Sequence, residues 1–127
     1  MDAAAELSLV IWLAGPRRSL SDMDPLVVER LRPMARLEVE RRHERARTPQ
    51  IDPPAAGRLE DITAPTLVMI GDYDGPLEQD FAAVVYSGIP GAEQRVFHET
   101  AHMVNMERPA EFNAAVLAFL AEHPLSV

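Results

Sequence analysis

The chain has 127 residues, 12 arginines and no lysine against 20 acidic residues, and a formal net charge of −8. One domain with one modest core is the ceiling at this length. The acidic surplus argues against a sequence-independent grip on nucleic acid or an anionic membrane. With no cysteine, thiol catalysis, disulfide scaffolds, iron–sulfur clusters and cysteine-ligated zinc are excluded. The longest apolar run, Leu9 to Ala14, is too short for a membrane span or a signal h-region, and the opening residues carry no basic flank. A cytoplasmic protein that meets neither membrane nor nucleic acid is expected.

Charge divides the chain in two. Residues 1–60 hold ten arginines and ten acids, whereas residues 61–127 hold two arginines and ten acids. The expected organisation is a helical segment and linker over 1–58 and an α/β unit over 59–127.

A first helix is predicted over about Ala3–Ala14, with Leu9, Val10 and Leu13 on one face and Gly15-Pro16 as the stop. A second starts at Asp24-Pro25, a good N-cap followed by a proline at the first helical position, and runs to about Arg47 through Leu26, Leu31, Met34 and Leu37. Pro33 is a point for a kink or a split. Thr48–Gly57, with three prolines, reads as the linker. Thr66–Ile70 is a continuous apolar run between Pro65 and Gly71, the pattern of a strand buried on both faces of a parallel sheet. Leu77–Ser87 suits a helix with Leu77, Phe81, Val84 and Val85 on one face, and Gln94–His98 a second strand. A last helix from Pro109 carries Phe112, Ala115, Val116, Phe119 and Leu120 at i, i+3, i+4, i+7 and i+8. Strand, helix, strand and helix with short connections make a βαβ unit, so the two strands should be parallel.

In open parallel sheets ligands bind beyond the carboxyl ends of the strands. The residues there are Gly71-Asp72-Tyr73-Asp74 and Glu99-Thr100-Ala101-His102. An acid after one strand and a histidine after the next face each other in the geometry that orients an imidazole for general-base work. Ordinary loop residues of these types are common, and spacing alone leaves both readings open.

The flanks of these residues resemble the C-terminal third of α/β-hydrolases over about residues 59–122. The carriers are the strand and turn Ile62 to Asp74, with its I-x-x-P-T-L-V-x-x-G-x-x-D pattern, then Ile89-Pro90-Gly91-Ala92, then Ala101-His102 through Glu107 to Pro109. The resemblance implies Asp74 as the acid and His102 as the histidine of a Ser-Asp-His triad, 28 residues apart in the expected order. Asp72 competes as the acid, and the family spacing favours Asp74. Ala101 stands where the family usually has glycine, a change associated with enol-lactonases. Residues 1–58 then resemble the tail of a helical cap.

The resemblance further implies hydrolysis of a carboxylic ester, lactone or related small-molecule bond, with no cofactor and no metal. The serine is the missing part. None of Ser8, Ser19, Ser21, Ser87 and Ser126 lies in a G-x-S-x-G elbow. The expectation is the C-terminal half of a hydrolase, whether through a truncated gene, a split enzyme or a fragment of a longer protein, inactive alone, that self-associates or meets a missing N-terminal half. The alternative is a non-catalytic remnant or interaction module of the same fold.

A third reading comes from His98-Glu99-Thr100-Ala101-His102, which matches the H-E-x-x-H of zinc peptidases, with Glu111 or Glu122 as third ligand. It requires both histidines on one continuous helix, whereas Val96-Phe97-His98 reads as a strand end. His98 is expected to be structural, and His43 and His123 solvated.

Overall fold

The computed structural model describes residues 2–45 and 52–124. Helix α1, Asp2–Leu9, passes into a wider π-helical turn, Val10–Ala14, and stops at Gly15. Ala5, Leu9 and Leu13, four residues apart, form its buried face. Val10 was expected there, but one residue of rotation turns it outward, and it is 39% exposed.

Helix α2 spans Pro25–Arg45. Asp24 caps it, its Oδ1 accepting the Leu26 N–H at 2.8 Å and its carbonyl accepting those of Val27 and Val28. The helix runs unbroken through Pro33. That proline is exposed, so the Glu29 carbonyl it leaves without an amide partner is on the hydrated side. Val28, Leu31 and Ala35 pack against the α1 face and form the main core. Of the residues expected on this face, Leu26, Met34 and Leu37 are exposed and Leu31 alone is buried. Ser8 and Glu38 add a hydrogen bond of 2.8 Å between the helices, and Arg32 pairs with Glu6.

The first four residues of the expected linker lie outside the described residues. Its end, from Ala55, is the start of a 3-10 helix, Ala55–Asp61, whose Leu59 packs under Gly88. Strand β1, Leu67–Gly71, and strand β2, Glu93–Phe97, pair in parallel with Leu67 opposite Glu93 and Gly71 opposite Phe97. Helix α3, Pro76–Gly88, joins them, a four-residue turn of helix α4, Val104–Glu107, follows, and α5, Pro109–Glu122, ends the fold. The architecture is α/β: a parallel βαβ unit with a C-terminal helix, preceded by a helical segment.

Burial is concentrated at the carboxyl end of this two-stranded sheet. Ile70, Gly71 and Phe97 are buried, whereas Leu67, Val68 and Met69 are only half-buried, so β1 is not covered on both faces as expected. The face predicted for α3 is largely uncovered, with Leu77, Phe81 and Val84 exposed, whereas that predicted for α5 is half-buried at Phe112, Ala115, Val116 and Phe119 and open at Leu120; neither helix buries a residue fully. Two strands offer these stripes too little surface to pack on. Among the described residues no helix is long and apolar enough to cross a membrane.

Candidate active site

The pairing of β1 and β2 continues past the strands and draws two loops together. Asp72 N–H donates to the Phe97 carbonyl at 3.0 Å, and Tyr73 N–H to that of Thr100 at 2.8 Å. Such an approach needs a residue without a side chain at the contact. A Cβ on Gly71 would overlap the Thr100 and Ala101 carbonyl oxygens. Gly15, at φ +70°, makes the same concession where the first helical segment ends, since a Cβ there would meet the Tyr73 carbonyl and the methyl of Ala101. Ala101, fully buried, thus occupies the space that Gly15 leaves.

This convergence brings Asp74 and His102 together, with Asp74 Oδ2 2.7 Å from His102 Nδ1. The other carboxylate oxygen of Asp74 accepts the Gly75 N–H at 2.9 Å, and its side chain is 2% exposed. An ionised carboxylate only accepts, so Nδ1 is the donor and the lone pair of neutral imidazole lies on Nε2, the far side of the ring. Among the described residues nothing hydrogen-bonds Nε2, and the imidazole is 45% exposed. Trp12 packs against it with ring centroids 4.8 Å apart and planes tilted by 52°.

Asp72 is engaged elsewhere. Its Oδ2 lies 3.0 Å from His98 Nδ1 and its Oδ1 accepts the Glu99 N–H at 2.6 Å. Burial pushes the Asp72 carboxyl up. The hydrogen bonds from His98 and Glu99 and the charges of His98 and Arg17 outweigh it, holding the group below its ordinary value. Glu99 itself sits at φ +56°, in the tight turn between β2 and the His102 loop.

A clasp from the N-terminal segment secures that loop. Arg18 forks onto Glu107 with contacts of 2.6 and 3.1 Å, while also donating to the carbonyls of Leu13, Ala14 and Glu99. Glu107 Oε1 in turn accepts the Ala101 N–H at 2.9 Å, one residue before His102. The guanidinium is 16% exposed and the carboxylate 7%, so this is a bidentate pair largely removed from water.

The zinc-peptidase reading fails on backbone geometry. His98 to His102 cross a turn and an irregular loop, and the two histidines pair separately with Asp72 and Asp74. Glu111 faces Arg108, and Glu122 clusters with Glu93 and His123, the one group among the described residues close enough to share a cation. His123 is not simply solvated, since Nε2 meets Glu93 at 2.9 Å and the ring packs on Phe119. The side chain of His43 lies outside the described residues.

Beside His102 opens a cavity of about 330 Å3, walled by Leu9, Trp12, Leu31, Met34 and Met103. A small apolar ligand fits a space of this size. Reading the sequence singled out Asp74 and His102 but missed Arg18, Glu107 as its partner, and Trp12 as the neighbour of the imidazole. Nothing local marks them, for Arg18 is one of ten arginines in its half of the chain and meets Glu107 across 89 residues.

No family model matches the chain. It is similar to a 2-hydroxy-6-oxononadienedioate/2-hydroxy-6-oxononatrienedioate hydrolase of Cupriavidus pinatubonensis, 38% identical over 63 residues, which is 50% of this chain and 22% of the relative. The like-named hydrolase of Klebsiella pneumoniae is 34% identical over 73 residues, 58% of this chain and 25% of the relative. The chain therefore spans about a quarter of the length of the curated relatives it matches. Among solved structures, MenH from S. aureus aligns with a TM-score of 0.52 at 31% identity, covering 55% of this chain and 26% of that one. The enol-lactonase from Burkholderia xenovorans aligns over 95% of this chain and 45% of its own, with a TM-score of 0.65. At 21% identity this second likeness concerns the fold, and it extends to the helical segment.

Proposed function

We propose, on the premise that this chain is a member of the α/β-hydrolase family carrying part of its fold, that Asp74 and His102 are the acid and base of a Ser-Asp-His triad. The observation that carries the proposal is the 2.7 Å contact between a buried carboxylate and Nδ1 of a histidine whose Nε2 is open. In the reaction, Nε2 removes the proton of an attacking serine hydroxyl and later gives it to the leaving group. Asp74 holds the imidazole in the required tautomer and stabilises the cation formed in between. The bond broken is a carboxylic ester, a lactone or a related bond next to a carbonyl. The relatives' name, 2-hydroxy-6-oxononadienedioate/2-hydroxy-6-oxononatrienedioate hydrolase, supports hydrolysis of a small oxo-acid substrate.

The serine lies outside these 127 residues in this proposal, because none of the five serines among them lies in a G-x-S-x-G elbow. The uncovered apolar residues of α3 and α5 offer a surface on which the segment that carries the nucleophile can pack. The test is to co-express the chain with an N-terminal α/β-hydrolase segment that carries the elbow and to follow ester and lactone turnover. Turnover in the complex, lost on His102→Ala and on Asp74→Ala, is expected, with the chain alone near background. A complex that forms and is inactive, or activity indifferent to His102, would overturn the proposal.

A further inference from the structure

We infer that Arg18, on the helical segment, is a positioning residue for His102 and not a binding residue for a substrate anion. The inference rests on the reading above for the role of His102 as base. A guanidinium has five N–H donors and no acceptor. In Arg18, Nε donates to the Ala14 carbonyl at 2.9 Å, Nη1 to the Glu99 carbonyl at 2.9 Å and Glu107 Oε2 at 2.6 Å, and Nη2 to the Leu13 carbonyl at 3.0 Å and Glu107 Oε1 at 3.1 Å. Five donors meet five acceptors inside the fold. No N–H is left to offer a substrate carboxylate.

Those acceptors belong to the parts that hold the imidazole. The pairing of β1 and β2 runs on as far as the Thr100 carbonyl, which accepts the Tyr73 N–H. At the next residue the tether is Glu107, whose Oε1 accepts the Ala101 N–H at 2.9 Å, and Arg18 fixes both oxygens of that carboxylate. The Glu99 carbonyl ties the start of the same loop to the same guanidinium. Leu13 and Ala14 end the π-helical turn that carries Trp12, and Trp12 packs on the His102 ring. Arg18 thus sets both the main chain that bears the imidazole and the aromatic ring that lies against it. Asp74 is held independently, by its N–H on the Gly71 carbonyl at 3.2 Å and by the Gly75 N–H on its Oδ1. Loss of Arg18 should therefore move the base and leave the acid in place. The 2.7 Å hydrogen bond between them tolerates little such movement, and a misplacement of about 1 Å costs a reaction about a hundredfold.

The experiment compares two double variants of the full chain, Arg18→Met with Glu107→Leu and Arg18→Met with Glu107→Gln. Both remove the two charges together, so neither is stranded, and circular dichroism and urea denaturation check that the fold is kept. The glutamine carbonyl still accepts the Ala101 N–H, which leucine cannot do. Proton–nitrogen NMR reads the exchange of the His102 Nδ1 proton. It should quicken at least about tenfold in the leucine pair and be partly restored in the glutamine pair. In the complex with the nucleophile-bearing segment, kcat should fall at least about tenfold in the leucine pair with KM unchanged, because no N–H of Arg18 reaches substrate. A raised KM with unchanged kcat would assign Arg18 to substrate binding and overturn the inference, as would an Nδ1 proton that exchanges alike in all three chains. Should neither pair fold, the unaltered chain decides. On warming below its unfolding midpoint, the Arg18 side-chain N–H signals and the Nδ1 proton should broaden together, and an Nδ1 proton that outlasts them would overturn the inference. An Nδ1 proton that answers to the variants while the complex never turns over contradicts the catalytic reading alone. An active complex whose kcat ignores them contradicts the positioning role alone.

Discussion

Asp72 and Asp74 leave β1 two residues apart, yet the first meets a largely exposed His98 and the second an imidazole at the mouth of the cavity. The contacts of Asp72 set its role under acid. Because the Asp72 carboxyl is held below its ordinary value of 3.8, its contribution to stability is present in full above the ordinary carboxylate range and is lost as pH falls through the lower, folded-state value. The urea midpoint of Asp72→Asn should therefore lie below that of the unaltered chain at neutral pH and converge with it in strong acid. A gap that persists unchanged well below pH 3.8 would show that the carboxylate charge is not what stabilises this loop.

The Arg18 clasp makes a second residue-scale prediction. Removing one partner of a largely buried ion pair strands the other, at a cost of about 3 kcal/mol. Arg18→Ala should lower stability by that order, measured by urea denaturation, and Arg18→Lys should recover little because an ammonium group cannot fork onto both oxygens of Glu107. Gly71→Ala acts on the same loop from below. Its methyl would overlap two carbonyl oxygens and separate the loops that carry Asp74 and His102.

At the scale of elements, helix faces are decided by what is available to cover them. Leu31 is 1% exposed in the α1–α2 core, whereas Leu26, on the same helix, is 79% exposed. Leu31→Ala should thus cost about 3 kcal/mol and Leu26→Ala less than about 0.5 kcal/mol, a contrast that equilibrium denaturation resolves. The sequence made the ends of elements legible because local chemistry writes them. Asp24-Pro25 opens α2 and Pro109 opens α5, α3 starts at Pro76, one residue before the expected Leu77, and the strands fall within one residue of Thr66–Ile70 and Gln94–His98. Asp74 and His102 were singled out by the family resemblance, since position after a strand end alone left Asp72 against Asp74, and an ordinary loop reading, open. The buried faces were not, since periodicity in α3 and α5 marks apolar stripes without saying whether anything packs on them. The π-helical turn at Val10–Ala14 and the single turn of α4 lack a sequence signature of that kind. The cavity was equally hidden, being made by Ser8, Glu38 and His102 from three distant parts of the chain.

At the scale of the molecule, the accessible surface is 9107 Å2. A compact monomer of this mass exposes roughly 6,700 Å2. The excess, roughly 2,400 Å2, is larger than the share one partner contributes to a standard interface, about 800 Å2. Phe81, Val84, Leu117 and Leu120 are among the apolar residues left open. Light scattering should therefore return a mass above 14.1 kDa for the isolated chain. Phe81→Glu with Leu117→Glu should shift it toward the monomer without loss of helical signal. A monodisperse, stable monomer of the unaltered chain would show that these faces need no cover.

The central claim concerns one proton, the one on Nδ1 of His102 between the ring and Asp74. Proton–nitrogen NMR on the imidazoles measures it directly. The pairing predicts a far-downfield Nδ1 proton slowed in exchange, an unprotonated Nε2 at neutral pH, and loss of that resonance in Asp74→Ala with the backbone spectrum otherwise kept. A His102 ring that exchanges and averages its tautomers like a free imidazole, indifferent to Asp74→Ala, would contradict the account.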